Sequence, residues 1–167
     1  MNAVPSENSI RKVRTHDYKA ISNFLRDVFR PSIFESRLVE SLRENRKSVQ
    51  EWVMETQGDL VAHICYSDAF KGERCIGYHL APVAVRADAR GAGFGSLLIR
   101  HSRELVGDGK SPVFVLGDPE YYERIGFRRT LLPRCPFDEN NQHFLSLRWA
   151  SPDSFTIGYE PEFYAEA

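Results

Sequence analysis

The sequence predicts an α/β fold, a mixed sheet with helices on its faces. Three observations carry that reading. Short apolar stretches such as "LVAHICYS" and "PVFVLG" alternate along the chain with segments of helical period, such as Ile21, Phe24, Leu25, Val28 and Phe29. A glycine-dense segment, "RGAGFGSLL" at residues 90–98, joins a long strand pattern to a helical one. No repeat, low-complexity stretch or linker divides the 167 residues, a length that suits one domain with a sizeable core.

The elements follow in order. Residues 1–8 are polar and expected to fray, and Ile10 to Arg14 alternates apolar and charged, a short strand. Thr15 can cap a helix carrying the apolar set from Ile21 to Phe29, and Pro31 interrupts it. A second amphipathic helix runs from Phe34 to Glu44, with Phe34, Leu38 and Leu42 inward. "SVQEWVMET" and "LVAHICYS" around Gln57-Gly58-Asp59 read as a β-hairpin, and "CIGYHLAPVAVRAD" supplies a third long strand. The glycine segment opens a helix from Gly95 to Val106, with Leu97, Leu98 and Leu105 expected to face inward. "PVFVLG" has the unbroken apolar character of a strand buried on both faces. A short helix follows, with Asp118 as N-cap, Pro119 in its first position and Gly126 at its exit. "HFLSLRWA" is a further strand, and the aromatic tail "FTIGYEPEFY" is expected to pack back on the domain.

Composition narrows the function. Twenty-two basic against twenty-three acidic residues give a formal charge of −1, without the basic excess of a nucleic-acid binder. The local clusters "RKVR" (11–14) and "RR" (128–129) read as solvated faces. No stretch approaches the roughly 18 apolar residues that cross a membrane, and the N-terminus lacks the apolar segment of a secretory signal. Cys65, Cys75 and Cys135 form no C-x-x-C pair, which predicts a reduced, cytoplasmic setting. The five histidines lack metal-ligand spacing, so no metal is expected.

The glycine segment admits several ligands. Gly91, Gly93 and Gly95 give G-x-G-x-G with Ser96 next, which departs from the G-x-G-x-x-G of a dinucleotide site. No lysine precedes Ser96 as a P-loop requires, and Leu97-Leu98 replace the end of a G-x-S-x-G elbow. A plain strand-to-helix turn stays open. With its left flank, "PVAVRADARGAGFGSLLIRH", the segment becomes R-x-x-G-x-G between a strand and a helix. Glycines let backbone N–H groups converge, and the helix start adds free donors and a positive dipole end, enough to hold a pyrophosphate.

This loop resembles the [Q/R]-x-x-G-x-[G/A] loop of the GNAT superfamily of N-acetyltransferases. "YYERIGF" at 121–127 resembles the tyrosine-containing Y-E-[RK]-x-G-F segment of the same superfamily. The element order over roughly residues 9–150 is similar too, and "HLAPVAV" with "VLGDPEYYERIGF" is most similar to the YhbS-like group. The resemblance implies a single domain over residues 1–167, with a tail at 151–167. Its central sheet would be mixed and mostly antiparallel, flanked by helices, with strands splayed where the coenzyme sits. It implies acetyl transfer from acetyl-coenzyme A to a primary amine by direct attack, without a metal. The acceptor would be an amine-bearing small molecule, peptide or protein, and a homodimer stays open.

By resemblance, the backbone of Val83, Ala84 and Val85 holds the pantetheine arm. Arg90, Gly91, Ala92, Gly93, Phe94, Gly95 and Ser96 form the pyrophosphate cradle. Pro82 lacks an N–H and marks a bulge or parted edge, which suits such a splay. Tyr122 aligns with the family tyrosine that protonates the leaving thiolate, and Tyr121 packs or touches the coenzyme. Asp118 is read only as a cap. His79 is the first side-chain candidate for a general base, ahead of His63, Asp68 and Glu73. A second class of function, a non-catalytic acyl-CoA-binding or regulatory module, keeps the cradle and needs no tyrosine; a nicotinamide oxidoreductase would prefer NAD.

Overall fold

A computed structural model describes residues 8–165. The expected fraying over residues 1–7 lies outside them, and Asn8 already belongs to a strand. The described residues form β1 (Asn8–Lys12), β2 (Gln50–Thr56), β3 (Asp59–Lys71), β4 (Arg74–Val85), β5 (Val113–Leu116), β6 (Arg128–Arg129) and β7 (Phe144–Leu147), in the sheet order β1-β2-β3-β4-β5-β7-β6. The α-helices are α1 (Tyr18–Val28), α2 (Phe34–Glu44), α3 (Phe94–Arg103) and α4 (Pro119–Arg124). β1/β2, β5/β7 and β6/β7 pair antiparallel and β4/β5 parallel, so the sheet is mixed. Residues up to 65 with 82–102 form one compact unit, and 66–81 with 103–165 a second.

In the first unit, Gln57 (φ 52°) and Gly58 (φ 82°) are both left-handed, the geometry of the tight turn that suits a twisted hairpin. Ile21, Phe24 and Leu25 of α1 and Val39 of α2 meet Val53, Cys65 and Ala84 of the strands in one buried cluster. The Arg11 guanidinium binds Asp17 at 2.7 Å and Glu55 at 2.5 Å, tying β1 to the turn before α1 and to β2. On α3 the buried face is Gly95, Leu98, Ile99 and Ser102, a helical spacing. The expected inward Leu97 and Leu105 are instead 48% and 49% exposed. The helix begins at Phe94, so Leu97 sits one step around from Leu98, and Leu105 lies past the helix end at Arg103. Ser102 is tolerated inside because its hydroxyl donates to the Leu98 carbonyl at 2.7 Å.

In the second unit, β5 buries Val113, Phe114 and Val115, while Leu116 is 41% exposed and departs from the expected burial on both faces. β5 pairs with β4 at Tyr78↔Val113 and His79↔Phe114, whereas β4 runs on to Val85. The Phe114 ring stacks on Phe144 at 5.7 Å and meets Trp149 edge-on at 5.4 Å. Gly158 of the tail pairs with Phe70, and Ile157, Tyr159 and Phe163 are buried. β6 was not expected from the sequence. Two arginines carry no apolar alternation, and the strand exists through its pairing with Ser146 and Leu145.

Candidate active site

The residues expected to form the cradle lie in the first unit. Pro82 and Ala84 of β4 are buried, whereas Val83 and Val85 are half-buried, the alternation of a strand with one covered face. Arg90 is extended at φ −67°, ψ 146°, and its Nε donates to the Val85 carbonyl at 3.4 Å. Gly91 (φ 85°) and Gly93 (φ 81°) take left-handed conformations that other residues adopt only with strain. A Cβ built on either meets no atom within 4 Å, so the space in front of the loop is open. Leu97 N–H donates to the Gly93 carbonyl at 3.0 Å, the first bond of α3. The amides of Phe94 and Gly95 therefore lie outside the helix's own ladder. A loop of this shape, with an exposed arginine at its start, suits a pyrophosphate.

The second unit carries the tyrosines. Asp118 caps α4, its Oδ1 accepting from Glu120 N–H at 3.2 Å, with Pro119 in the first turn. Tyr121 and Tyr122 are successive, so their directions differ by about 100°. Their rings meet edge-on, 5.0 Å apart at 89°. Tyr122 is 9% exposed and packs edge-on against Phe127, whereas Tyr121 is half-buried. Burial, then the neighbouring Tyr121, Tyr66 and Asp118, push the Tyr122 phenol well above its ordinary value. It therefore keeps its proton throughout the neutral range. Gly117 seats this ring, because a Cβ there would lie 2.5 Å from Tyr122 Cε2. The sequence reading passed over that glycine; its signal was a small residue just before the capping aspartate, against a bulky ring one turn on.

The acetyltransferase (GNAT) domain model matches residues 47–129, the span from the first hairpin strand through both motifs. The chain belongs to the GNAT acetyltransferases. Among relatives, the N-acetyltransferase YjhQ of Escherichia coli K12 is 39% identical over 99 residues, 56% of this chain and 55% of that protein. The chain thus spans about half the length of this relative. The N-acetyltransferase YhbS of the same strain is 28% identical over 141 residues, covering 83% of this chain and 78% of that protein. The crystal structure of YhbS in complex with CoA superposes with a TM-score of 0.88 at 24% identity, over 100% of this chain and 98% of that one. A GNAT acetyltransferase from Brucella melitensis in complex with acetyl-CoA gives a TM-score of 0.78 at 26% identity, over 93% and 97%. The α/β GNAT fold expected from the sequence is the fold observed.

Within this GNAT chain the base candidates separate. His79 is buried and stacked on Tyr159, 3.5 Å between centroids at 3°. Its Nε2 lies 2.9 Å from the Gly158 carbonyl, which can only accept, so Nε2 carries the proton. Burial pushes its pKa down to about 3, against a weaker opposing effect of that carbonyl. His79 is a packing histidine and a poor base. His63 is fully buried and its Nε2 lies 2.9 Å from Glu51 Oε1, which also takes Arg43 Nη2 at 2.6 Å. Burial raises the Asp68 carboxyl, and the nearby Glu160 adds to that; Glu73 is exposed. Among the described residues no group of three or more His, Cys, Asp or Glu could hold a metal ion, and no helix is long and apolar enough to cross a membrane.

Proposed function

We propose that this chain, as one domain over residues 1–167, transfers the acetyl group of acetyl-coenzyme A to a primary amine. The observation that carries the reading is the loop from Arg90 to Ser96, with two left-handed glycines facing open space at the start of α3. Arg90 and the amides of Gly91, Ala92, Gly93, Phe94, Gly95 and Ser96 hold the pyrophosphate. The backbone of Val83, Ala84 and Val85 orients the pantetheine arm, and N–H groups there steady the charge that develops on the acetyl oxygen as the amine attacks. The amine must arrive neutral, and its proton leaves through solvent, since the buried His79 is a poor base.

Tyr122 is the hydrogen-bond donor to the departing sulfur, and Tyr121 borders the coenzyme. A thiol ionises near about 8.5 and a raised phenol above about 10, so complete transfer from phenol to thiolate runs uphill. Tyr122 therefore keeps its proton and acts by hydrogen-bonding the sulfur as charge appears there; the coenzyme leaves as a thiolate, and solvent takes the proton that the attacking nitrogen sheds. The three free cysteines, two of them buried, support a cytoplasmic setting.

The test is thiol release from acetyl-coenzyme A across a panel of amines. Release should require an amine, and Tyr122→Phe should lower kcat roughly tenfold or more, the worth of one hydrogen bond to a developing charge. Because the phenol stays protonated, wild-type activity should rise with pH as the amine loses its proton, with no falling limb below about 10 from this group. Coenzyme binding without amine-dependent release would refute the transferase reading.

A further inference from the structure

In the sequence the pair at 128–129 reads as one solvated face, yet the structure separates its members. Arg129 Nε reaches Glu123 Oε1 at 2.7 Å. Arg128 is exposed, has no ion-pair partner among the described residues, and lines a cavity of about 280 Å³ in the second unit. Arg148 and Trp149 form further walls, and no acidic residue lines the space. Gly126 and Ala150 keep part of the rim free of bulky side chains.

Arg148 and Trp149 are held before anything binds. Arg148 donates from Nη1 to the Arg103 carbonyl at 3.2 Å and from Nη2 to Glu104 Oε1 at 3.0 Å. Glu104 is 60% exposed, so solvent screens it and it offsets little of the guanidinium charge. The Trp149 indole N–H donates to the Leu132 carbonyl at 3.1 Å, and its ring meets Phe114 and Phe155 edge-on. That leaves a flat apolar surface that does not rotate. Thr130 Oγ1 donates to the Arg128 carbonyl at 3.0 Å, so Ser146 donates to Thr130 at 2.6 Å and keeps its oxygen as an acceptor. The cavity thus offers planar cationic donors, an apolar wall and one neutral acceptor, in a chain whose formal charge is −1.

We propose that this cavity binds a small molecule bearing a carboxylate or phosphate oxyanion on a flat body, at a site separate from that of the coenzyme. Guanidinium groups match such oxyanions through paired, charge-assisted hydrogen bonds. The indole covers the ligand's flat face, and Ser146 accepts a hydrogen bond from a neighbouring hydroxyl or N–H of the ligand. The volume, just below the usual range for drug-sized ligands, restricts the ligand to a small one.

The experiment is a thermal-shift titration of the full chain with sodium phosphate and, separately, sodium benzoate. Sodium chloride holds the ionic strength constant, and saturating coenzyme A keeps the glycine loop occupied. A saturable rise in Tm with phosphate alone identifies a phosphoester ligand, and with benzoate alone an aromatic carboxylate. Arg128→Gln, at an exposed position, should weaken that response roughly tenfold or more, as loss of a charge-assisted bond does. It should leave the Tm shift produced by coenzyme A intact, and Arg124→Gln, another exposed arginine, should change neither response. No saturable shift with either anion overturns the proposal, as does an unaltered response in Arg128→Gln. Loss of the coenzyme A shift in Arg128→Gln would instead make the cavity part of the coenzyme site and overturn its separateness.

Discussion

The Tyr122 ring rests on Gly117, where a Cβ would stand 2.5 Å from Cε2 and 3.2 Å from Cδ2. Those atoms belong to a rigid ring that also touches Phe127 and Tyr121, so the ring has little room to retreat. Gly117→Ala should therefore shift the phenol without touching the glycine loop. The expected result is a kcat lowered roughly tenfold, with KM for acetyl-coenzyme A little changed, since small displacements of a positioned group are costly. In a Tyr122→Phe background the same alanine should cost almost nothing more. Additive losses in that cycle would mean that Gly117 acts through stability and not through the tyrosine.

Gly91 and Gly93 make the opposite kind of site, open in space but demanding in backbone. At φ 81° a Cβ on residue 93 meets no neighbour, yet in Gly93→Val a β-branched residue is strongly disfavoured there and the loop must turn its amides elsewhere. The Tm rise produced by coenzyme A should disappear. The Tm of the free chain should fall by only a few degrees, roughly what a 1 kcal/mol change does to a domain of this size. The loop is exposed at residues 90–93, which is why little else depends on it. A variant that unfolds outright would assign the glycine to the core and not to a ligand.

These two glycine sites show what the sequence could tell. α2 has the boundaries Phe34–Glu44 that its apolar spacing predicts, because a helix announces its period over three turns. The strand, the left-handed glycines and the helix start at residues 85–94 were legible for the same local reason, since they are contiguous in the chain. Gly117 against Tyr122 was not, because its meaning lies in a close approach that no spacing rule encodes. The phase of α3 was misread at Leu97, where two adjacent leucines left the inward one ambiguous until Ile99 and Gly95 settled the face. His79 looked like chemistry because histidine often is chemistry. Its partner Gly158 lies 79 residues away, so only the folded chain shows the ring stacked and dry.

That burial sets a stability prediction. His79 has a folded pKa of about 3 against an ordinary 6.5, so at pH 5 the unfolded chain takes up a proton there that the folded chain refuses. Its effect is absent above pH 6.5 and grows as the pH falls from there towards 3. Between pH 7 and pH 5 it should remove about 2 kcal/mol of stability. Denaturant unfolding at the two pH values measures this, with His79→Gln as the comparison because glutamine can still donate to the Gly158 carbonyl. The variant should lose about 2 kcal/mol less than the wild type over that interval. An equal loss in both would place the acid sensitivity on other groups.

The Arg43–Glu51 pair shows how strongly burial changes the worth of a charge. Arg43 Nε and Nη2 grip the two Glu51 oxygens at 3.0 and 2.6 Å, and the side chains are only 9% and 5% exposed. Burial alone would raise the Glu51 carboxyl, but the hydrogen bonds from His63 and Arg43 outweigh it and hold it below its usual value. Glu51→Ala should cost about 3 kcal/mol or more, because it strands a guanidinium in a dry site. Asp27→Ala, which breaks the exposed Arg30–Asp27 pair at 2.8 Å, should cost less than about 0.5 kcal/mol. Replacing both buried partners, as Arg43→Met with Glu51→Leu, should recover part of the loss, since no guanidinium is then stranded while the buried His63 Nε2 still loses its Glu51 partner. Denaturant midpoints of the four proteins decide it: if the double variant is no more stable than Glu51→Ala alone, the pair holds the fold by attraction and not merely by mutual neutralisation.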